Sequence, residues 1–256
     1  MRASTRTLVL AGMLIVLLAG CASKGPREEQ SGPAELNAEL GLAYMQQGEL
    51  ELALNKLQRA LQHNPRLDRA HHYLAELYRR LDEPEKAEQH FARAVRLAPR
   101  DAALHNNYGV FLCSQGEYQR ASKHFHTALR NPVYNAPAQT YENLGVCSKR
   151  NGDAEQAASY FRSALQLDPH LPTALVALME LKYEQGEHLE ARRYLQRYRE
   201  VGPHTAETLW LAVRNEYALG DQNAVSSLRM QLNNRFPDSD EARLMREWER
   251  TRHERH

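Results

Sequence analysis

The feature that most constrains this chain is a pattern of small and large apolar residues that returns every 34 residues. In the stretch from Asp101 to Arg130, two short amphipathic segments carry the pattern in Tyr108, Gly109, Leu112, Ala121, Phe125 and Ala128. Gly116 separates the segments, which indicates two helices joined by a turn. Gly109 and Ala121 are small enough for the helices to approach, and Phe125 fills the space between them. Neither helix can bury its apolar face alone, so the pattern predicts a helix–turn–helix unit with neighbours on both sides.

The same places are filled in five further registers. Upstream they hold Leu74, Ala75, Tyr78, Ala87, Phe91, Ala94 and Pro99, preceded by Leu40, Gly41, Tyr44, Gly48, Ala53, Leu57, Ala60 and Pro65. Downstream they hold Leu144, Gly145, Gly152, Ala157, Phe161, Ala164 and Pro169, and then, more loosely, Leu178, Met179, Gly186, Ala191, Leu195 and Pro203, and finally Leu209, Trp210, Gly220 and Pro237. A helix–turn–helix unit of this length with these residues resembles the tetratricopeptide repeat (TPR).

The resemblance predicts an all-α fold, a right-handed superhelical solenoid of six TPR repeats closed by a C-terminal capping helix. We place the repeats at 34–67, 68–101, 102–137, 138–171, 172–205 and 206–238, and the capping helix and tail at 239–256. The third repeat is two residues longer than the period, and its extra residues fall in the connection Asn131–Ala136. We expect Pro132 and Pro137 to stiffen this connection, and Ser239 to cap the closing helix.

Residues 1–20 have the composition of a secretory signal. Arg2 and Arg6 precede the apolar run Leu8–Leu18, which is shorter than the roughly 20 residues that span a bilayer. The run ends in Leu18-Ala19-Gly20-Cys21, which resembles the lipobox of bacterial lipoproteins. This resemblance implies cleavage before Cys21 and lipidation of that cysteine. The alternative is a buried cysteine within an ordinary signal peptide.

Residues 21–33 are expected to form a lipidated cysteine followed by a flexible tether, because the segment contains no large apolar side chain. Lipoproteins that stay at the inner membrane often carry Asp after the cysteine. Here Ala22 follows it. By that resemblance the mature protein belongs to the outer membrane.

Composition argues against several function classes. The chain has 33 basic and 32 acidic residues, so no global field draws it to nucleic acid. We find neither a phosphate-binding glycine loop nor a nucleophile–base pair, and predict no enzyme activity, cofactor or small-molecule substrate. The segment 253–256, His-Glu-Arg-His, is one residue short of the His-Glu-x-x-His zinc motif, and His124 and His126 diverge on a helix. Surface histidines are therefore favoured over a metal site.

Three cysteines are present. With Cys21 lipidated, Cys113 and Cys147 remain, and export would place them in an oxidising compartment. Cys113 is the twelfth residue of its repeat and Cys147 the tenth of the next, which places them about 200° apart around a helix axis. The two cysteines therefore lie on opposite flanks of adjacent first helices, and these are the flanks that meet. We predict a disulfide between Cys113 and Cys147. The alternative is two buried free thiols that act as small hydrophobic side chains.

Two blocks in repeats three and four contain residues that a generic TPR does not require. The first reads Asn106-Asn107-Tyr108-Gly109-x-Phe111-Leu112-Cys113 and is followed by Gly116-x-Tyr118. The second reads Pro132-x-Tyr134 and then Tyr141-Glu142-Asn143-Leu144-Gly145-x-Cys147. With the lipobox, these blocks resemble the type IV pilus biogenesis/stability lipoproteins, the six-TPR pilotins. The resemblance extends from Cys21 to about Pro237.

This resemblance implies a lipoprotein on the periplasmic face of the outer membrane, held by lipid through the acylated Cys21. It implies that the protein binds the type IV pilus secretin subunit and promotes the localisation and assembly of that subunit. The protein would thereby support pilus biogenesis and twitching motility without catalysing a reaction.

The first helices of a TPR solenoid line a concave surface, where partner segments commonly bind. The residues expected on it, in repeats two to four, are His72, Glu76, Arg79, Asn106, Val110, Glu142, Val146 and Lys149. Each of these positions is equally compatible with an ordinary solvated face. Two other function classes remain open from the sequence: a TPR lipoprotein scaffold of another envelope machine, such as outer-membrane protein assembly, and a TPR-bearing periplasmic enzyme.

Overall fold

The computed structural model describes residues 32–253. The predicted signal segment 1–20, the lipidation site Cys21 and the tether as far as residue 31 lie outside that range, as do residues 254–256 of the histidine motif. Within 32–253, every helix is too short or too polar to cross a bilayer.

The described residues form thirteen α-helices that follow one another as turn-linked pairs. The first members of the pairs are α1 (Pro33–Gln47), α3 (Asp68–Arg80), α5 (Ala102–Ser114), α7 (Pro137–Arg150), α9 (Pro172–Glu184) and α11 (Ala206–Ala218). The second members are α2 (Leu50–His63), α4 (Pro84–Leu97), α6 (Tyr118–Leu129), α8 (Ala154–Leu167), α10 (His188–Val201) and α12 (Gln222–Arg235), and α13 (Asp240–His253) closes the stack. Each helix packs on its sequence neighbours, and most first helices also contact the first helix of the next pair. The fold is an all-α TPR solenoid.

A small residue facing a large one sets the distance between the two helices of a pair. A Cβ atom added to Gly109 would lie 2.7 Å from the ring of Phe125, and one added to Gly145 would lie 2.7 Å from the ring of Phe161. Both phenylalanines are completely buried. The glycine is therefore required for the close contact, because any side chain there would displace the aromatic ring.

The turn between paired helices needs a left-handed residue. Gly116 supplies it between α5 and α6 with φ of 79°, a conformation that glycine adopts without steric cost. In the second pair Asp82 takes this place with φ of 56°. Asp is one of the few other residue types that tolerate the left-handed region.

The connection between α6 and α7 is held by side chains at both ends. The Asn131 side chain accepts a hydrogen bond from the Val133 amide at 3.1 Å and donates one to the Arg100 carbonyl at 3.1 Å. The Tyr134 hydroxyl lies 3.0 Å from the Thr140 hydroxyl. The sequence suggested that Pro137 stiffens this connection. In the structure it is instead the first residue of α7, where its missing N–H costs nothing.

Paired histidines join the two helices of the second and third repeats. The Nδ1 atoms of His71 and His90 are 3.0 Å apart, and those of His105 and His124 are 2.9 Å apart. Burial, reinforced by the neighbouring histidine, lowers the pKa of His90 and of His124 to about 4. His124, which the sequence favoured as a surface histidine, is only partly exposed, because His105 of the same repeat lies against it.

Replacing Gly109 tests the close contact directly. We expect Gly109→Leu to lower the free energy of unfolding by about 1–3 kcal/mol, since the new side chain would overlap the Phe125 ring. Chemical denaturation of the purified protein measures this. Val110→Leu is the matched control, because Val110 is 42% exposed. Equal stability of the two variants would contradict the assigned contact.

The histidine pairs predict a pH dependence of stability. The folded state holds His90 and His124 neutral with a pKa below the ordinary value of about 6.5. The two neutral histidines therefore contribute fully to the free energy of unfolding above about pH 6.5, and this contribution is lost as the pH falls towards about 4. We expect the urea midpoint to fall less between about pH 7.5 and 5 in the variant His90→Gln/His124→Gln than in the parent. The control variant is His170→Gln, because the His170 side chain is 76% exposed. Its urea midpoint should fall by as much as that of the parent. Parallel curves for all three proteins would disprove the prediction.

Candidate partner-binding groove

The concave face arises from a repeated contact between consecutive first helices. Lys149 of α7 pairs with Glu180 of α9, and Tyr183 of α9 lies under the guanidinium of Arg214 of α11 at 5.0 Å. Both pairs are 31 residues apart, so the twelfth residue of one repeat meets the ninth residue of the next. This contact aligns α7, α9 and α11 side by side.

A groove of about 610 Å³ lies along the three first helices, and Phe161 of α8 and Tyr198 of α10 also line it. Its apolar lining includes Val146, Phe161, Val176, Ala177 and Tyr198. Its charged lining includes Lys149, Arg150, Glu180 and Glu207. An apolar surface interrupted by a few charged groups of both signs suits a peptide segment that buries apolar side chains and is oriented by polar ones.

Arg214 occupies the ninth position of its repeat, the position that Glu180 occupies in the repeat before it. Its guanidinium stacks on Tyr183 and, at 5.5 Å, on Trp210, and Trp248 of α13 meets the edge of Trp210 with ring centroids 5.8 Å apart. Its Nε atom is buried and has no hydrogen-bond partner among residues 32–253. The aromatic faces hold the guanidinium in one orientation, which prepares it to bind a carboxylate.

Two residues expected in the groove are buried and bond between repeats. The Asn106 Oδ1 atom accepts hydrogen bonds from Thr140 and Asn143, both at 3.0 Å. The Glu142 Oε1 atom accepts one at 3.0 Å from the amide of Ala174, in the first turn of α9. Asn106 is 8% and Glu142 6% exposed. Their polar side chains form hydrogen bonds with the next repeat instead of facing solvent. The Glu142 carboxylate is also favoured by its position at the N-terminus of a helix.

The other expected residues divide between two regions. His72 bonds to Asn107 at 3.0 Å, and burial lowers the His72 pKa. Glu76 pairs with Arg79 within α3, and Val110 is exposed on α5. The structure places Val146 and Lys149 in the groove of α7, α9 and α11.

Sequence reasoning missed the groove residues beyond α7. They include Val176, Ala177, Glu180 and Glu207. Val176 and Glu180 occupy the same first-helix positions as Glu142 and Val146, one period later. The repeat pattern could have located these residues, but the fifth and sixth repeats match it less well than the earlier repeats do.

Cys113 and Cys147 lie on the adjacent first helices α5 and α7, with their Cα atoms 5.7 Å apart and their sulfur atoms in contact. Both belong to the buried cluster that contains Phe125 and Leu144. The separation lies inside the range of about 4.4–6.8 Å that a disulfide spans.

Among the described residues, no group of three or more His, Cys, Asp and Glu side chains is arranged to hold a metal ion. His126, on the exposed side of α6, lies 3.2 Å from the Tyr160 hydroxyl.

Family models described as tetratricopeptide repeat match residues 68–101, 100–170 and 150–214, and one described as TPR repeat matches residues 41–82. The type IV pilus assembly protein PilF of Pseudomonas aeruginosa is 31% identical over 236 residues, which are 90% of this chain and 94% of the relative. An uncharacterized protein of Haemophilus influenzae is 37% identical over 115 residues, or 45% of this chain and 64% of its own length.

Solved structures agree with the sequence relatives. The structure of Pseudomonas aeruginosa PilF has a TM-score of 0.76 at 29% identity and covers 84% of this chain and 96% of its own. The structure of PilW, described as a widely conserved type IV pilus biogenesis factor, has a TM-score of 0.76 at 29% identity and covers 83% of this chain and 97% of its own. With a shared TPR solenoid and this identity over nearly the whole length, the chain belongs to the PilF family of type IV pilus biogenesis TPR proteins.

Proposed function

We propose that this protein is a pilotin, an outer-membrane lipoprotein that binds the type IV pilus secretin subunit and promotes its localisation and assembly. The observation that carries the proposal is the groove of α7, α9 and α11, an apolar concave surface in a chain of the PilF family. The protein acts by binding and carrying its partner, without catalysing a reaction.

The groove would accept one amphipathic segment of the secretin subunit. Apolar side chains of the segment would pack on Val146 and Val176, which face the groove from neighbouring helices. A carboxylate of the segment would pair with Arg150, a cationic side chain that lines the groove. A segment laid in such a groove gains affinity from anchors at regular spacing.

Acylation of Cys21 would supply the anchor and the transport of the complex. Two or more acyl chains on one cysteine hold a protein stably in a membrane, where a single chain would be marginal. The tether that follows lets the solenoid reach roughly 20 Å from the anchor on average. The secretin subunit bound in the groove would then travel to the outer membrane with the lipoprotein.

Cys113 and Cys147 would form a disulfide in the exported protein. The bond would link the third and fourth repeats across the connection that contains the two extra residues of the third repeat. It closes a loop with a sequence separation of 34 residues, which the chain-entropy model values at roughly 3–4 kcal/mol. Its effect would be to hold α5 and α7 together beside the groove.

A pull-down from membrane extract tests the binding function. The parent protein should capture the secretin subunit, and Val176→Glu should reduce capture at least about tenfold because it places a charge on the apolar groove surface. Val133→Glu is the matched control, since Val133 is 85% exposed on the α6–α7 connection.

Val110→Glu distinguishes the two ends of the concave face. Full capture by that variant together with loss in Val176→Glu would assign binding to the downstream groove. Full capture by both variants, each shown to be folded by its thermal midpoint, would contradict the groove. Capture of an outer-membrane assembly component in place of a secretin would favour another envelope scaffold.

The disulfide is tested on protein exported to the periplasm. Mass spectrometry of a non-reduced digest should identify the peptides that contain Cys113 and Cys147 as one linked species. Reduction should lower the thermal midpoint of the parent and leave that of Cys113→Ser/Cys147→Ser unchanged. Two thiols that alkylate freely in the exported protein would refute the bond.

A further inference from the structure

Every first helix after α1 is buried against the preceding repeat at the same three positions, the third, seventh and tenth of its repeat. In α3 these are Ala70, Leu74 and Leu77, with exposures of 0%, 1% and 0%. The equivalent residues of α5, α7, α9 and α11 are also buried: Leu104, Tyr108, Phe111, Thr140, Leu144, Cys147, Ala174, Leu178, Leu181, Thr208, Ala212 and Asn215.

In α1 the three positions are Leu36, Leu40 and Ala43, which we name the α1 face. Leu36 is 54% and Leu40 36% exposed, and Ala43 is partly exposed. No described helix precedes α1 to cover them. All three side chains are nevertheless apolar, as they are at the same positions of α3 and α9.

The opposite end of the solenoid does not share this property. Terminal repeats normally present a polar outer face, which keeps the stack soluble. On α13 the buried side chains Ala242 and Met245 face the stack, while the single exposed leucine, Leu244, lies among the exposed residues Arg243, Arg246 and Glu247. An apolar face at one end only indicates that something covers that end.

The position of the α1 face in the chain identifies its occupant. Only residues 22–32 separate helix α1 from the cysteine expected to carry acyl chains. This tether spans at most about 40 Å when fully extended, so the α1 face is the end of the solenoid nearest the anchoring lipid. The tether has no large apolar side chain with which to cover the leucines itself. A second copy is a poorer fit, because a stable interface buries about 1,200–2,000 Å² in total, far more than three side chains supply.

Two carboxylates, those of Glu35 and Glu39, border the α1 face. Glu39, on the adjacent side of α1, pairs with Arg69 of α3 at 2.7 Å. The three residues of the face carry no charge. Leucine side chains at a membrane surface gain by inserting into the boundary between headgroups and acyl chains.

We propose that the α1 face lies against the lipid surface to which Cys21 anchors the protein, an inference that rests on the lipid anchor of the proposed function. The solenoid then stands on its first repeat, with the groove of α7, α9 and α11 held away from the membrane. This orientation leaves the groove open to a partner in the periplasm while the lipoprotein stays anchored.

Tryptophan quenching by brominated lipid tests this orientation. The lipidated protein is reconstituted in phosphatidylethanolamine–phosphatidylglycerol vesicles whose acyl chains carry bromine. Leu36→Trp should add fluorescence that falls at least about twofold relative to vesicles without bromine. The native Trp210 and Trp248 lie in the last pair and the closing helix and give a constant background.

Two matched variants define the comparison. Gln46→Trp places the reporter on an exposed residue of α1 outside the α1 face, and Leu189→Trp places it on α10 at a residue that is 65% exposed. Both should remain unquenched. Equal quenching of Leu36→Trp and Gln46→Trp, or none in either, would overturn the proposal.

Co-sedimentation with vesicles separates this proposal from the anchor on which it rests. Parent protein that fails to sediment, or Cys21→Ala protein that sediments equally well, would overturn the lipid anchor. Parent protein that sediments while Leu36→Trp stays unquenched would overturn only the contact of the α1 face with lipid.

Discussion

The close contact between a small residue on one helix and a large residue on its partner determines most of this structure. Where Gly109 meets Phe125 and Gly145 meets Phe161, the paired helices approach until the ring touches backbone. That spacing fixes which side of each first helix faces the next pair. The approach of Cys113 to Cys147, which lie on the two helices that carry these glycines, follows from it.

Buried polar groups join the groove to the repeat before it and join its first two helices to each other. Asn106 joins the third repeat to the fourth, and Glu142 joins the fourth to the first turn of α9. Each would leave a buried polar atom unsatisfied if the repeats moved apart, which costs more than a lost surface contact. A partner that binds the groove therefore spends little free energy on ordering the protein.

The 34-residue period was enough to predict the helical solenoid and the glycine–phenylalanine contacts, because these depend on local spacing. It was not enough for Asn106 and Glu142, whose polar side chains resemble solvent-facing residues until the next repeat is in place. The histidine pairs were missed for the same reason, since His105 and His124 lie on different helices. The α1 face was hidden because Leu36 and Leu40 resemble ordinary core residues until the preceding helix is known to be missing from the described stack.

The central claim, that the groove of α7, α9 and α11 holds the secretin subunit, is tested most directly by photo-crosslinking in living cells. A photoreactive benzophenone amino acid at Val176 would face the groove, and the same group at Val133 would lie on an exposed connection. We expect an adduct of secretin mass, recognised by an antibody against the secretin, from Val176 but not from Val133. A secretin adduct from Val133 alone, or none from either position in cells that assemble pili, would contradict the account.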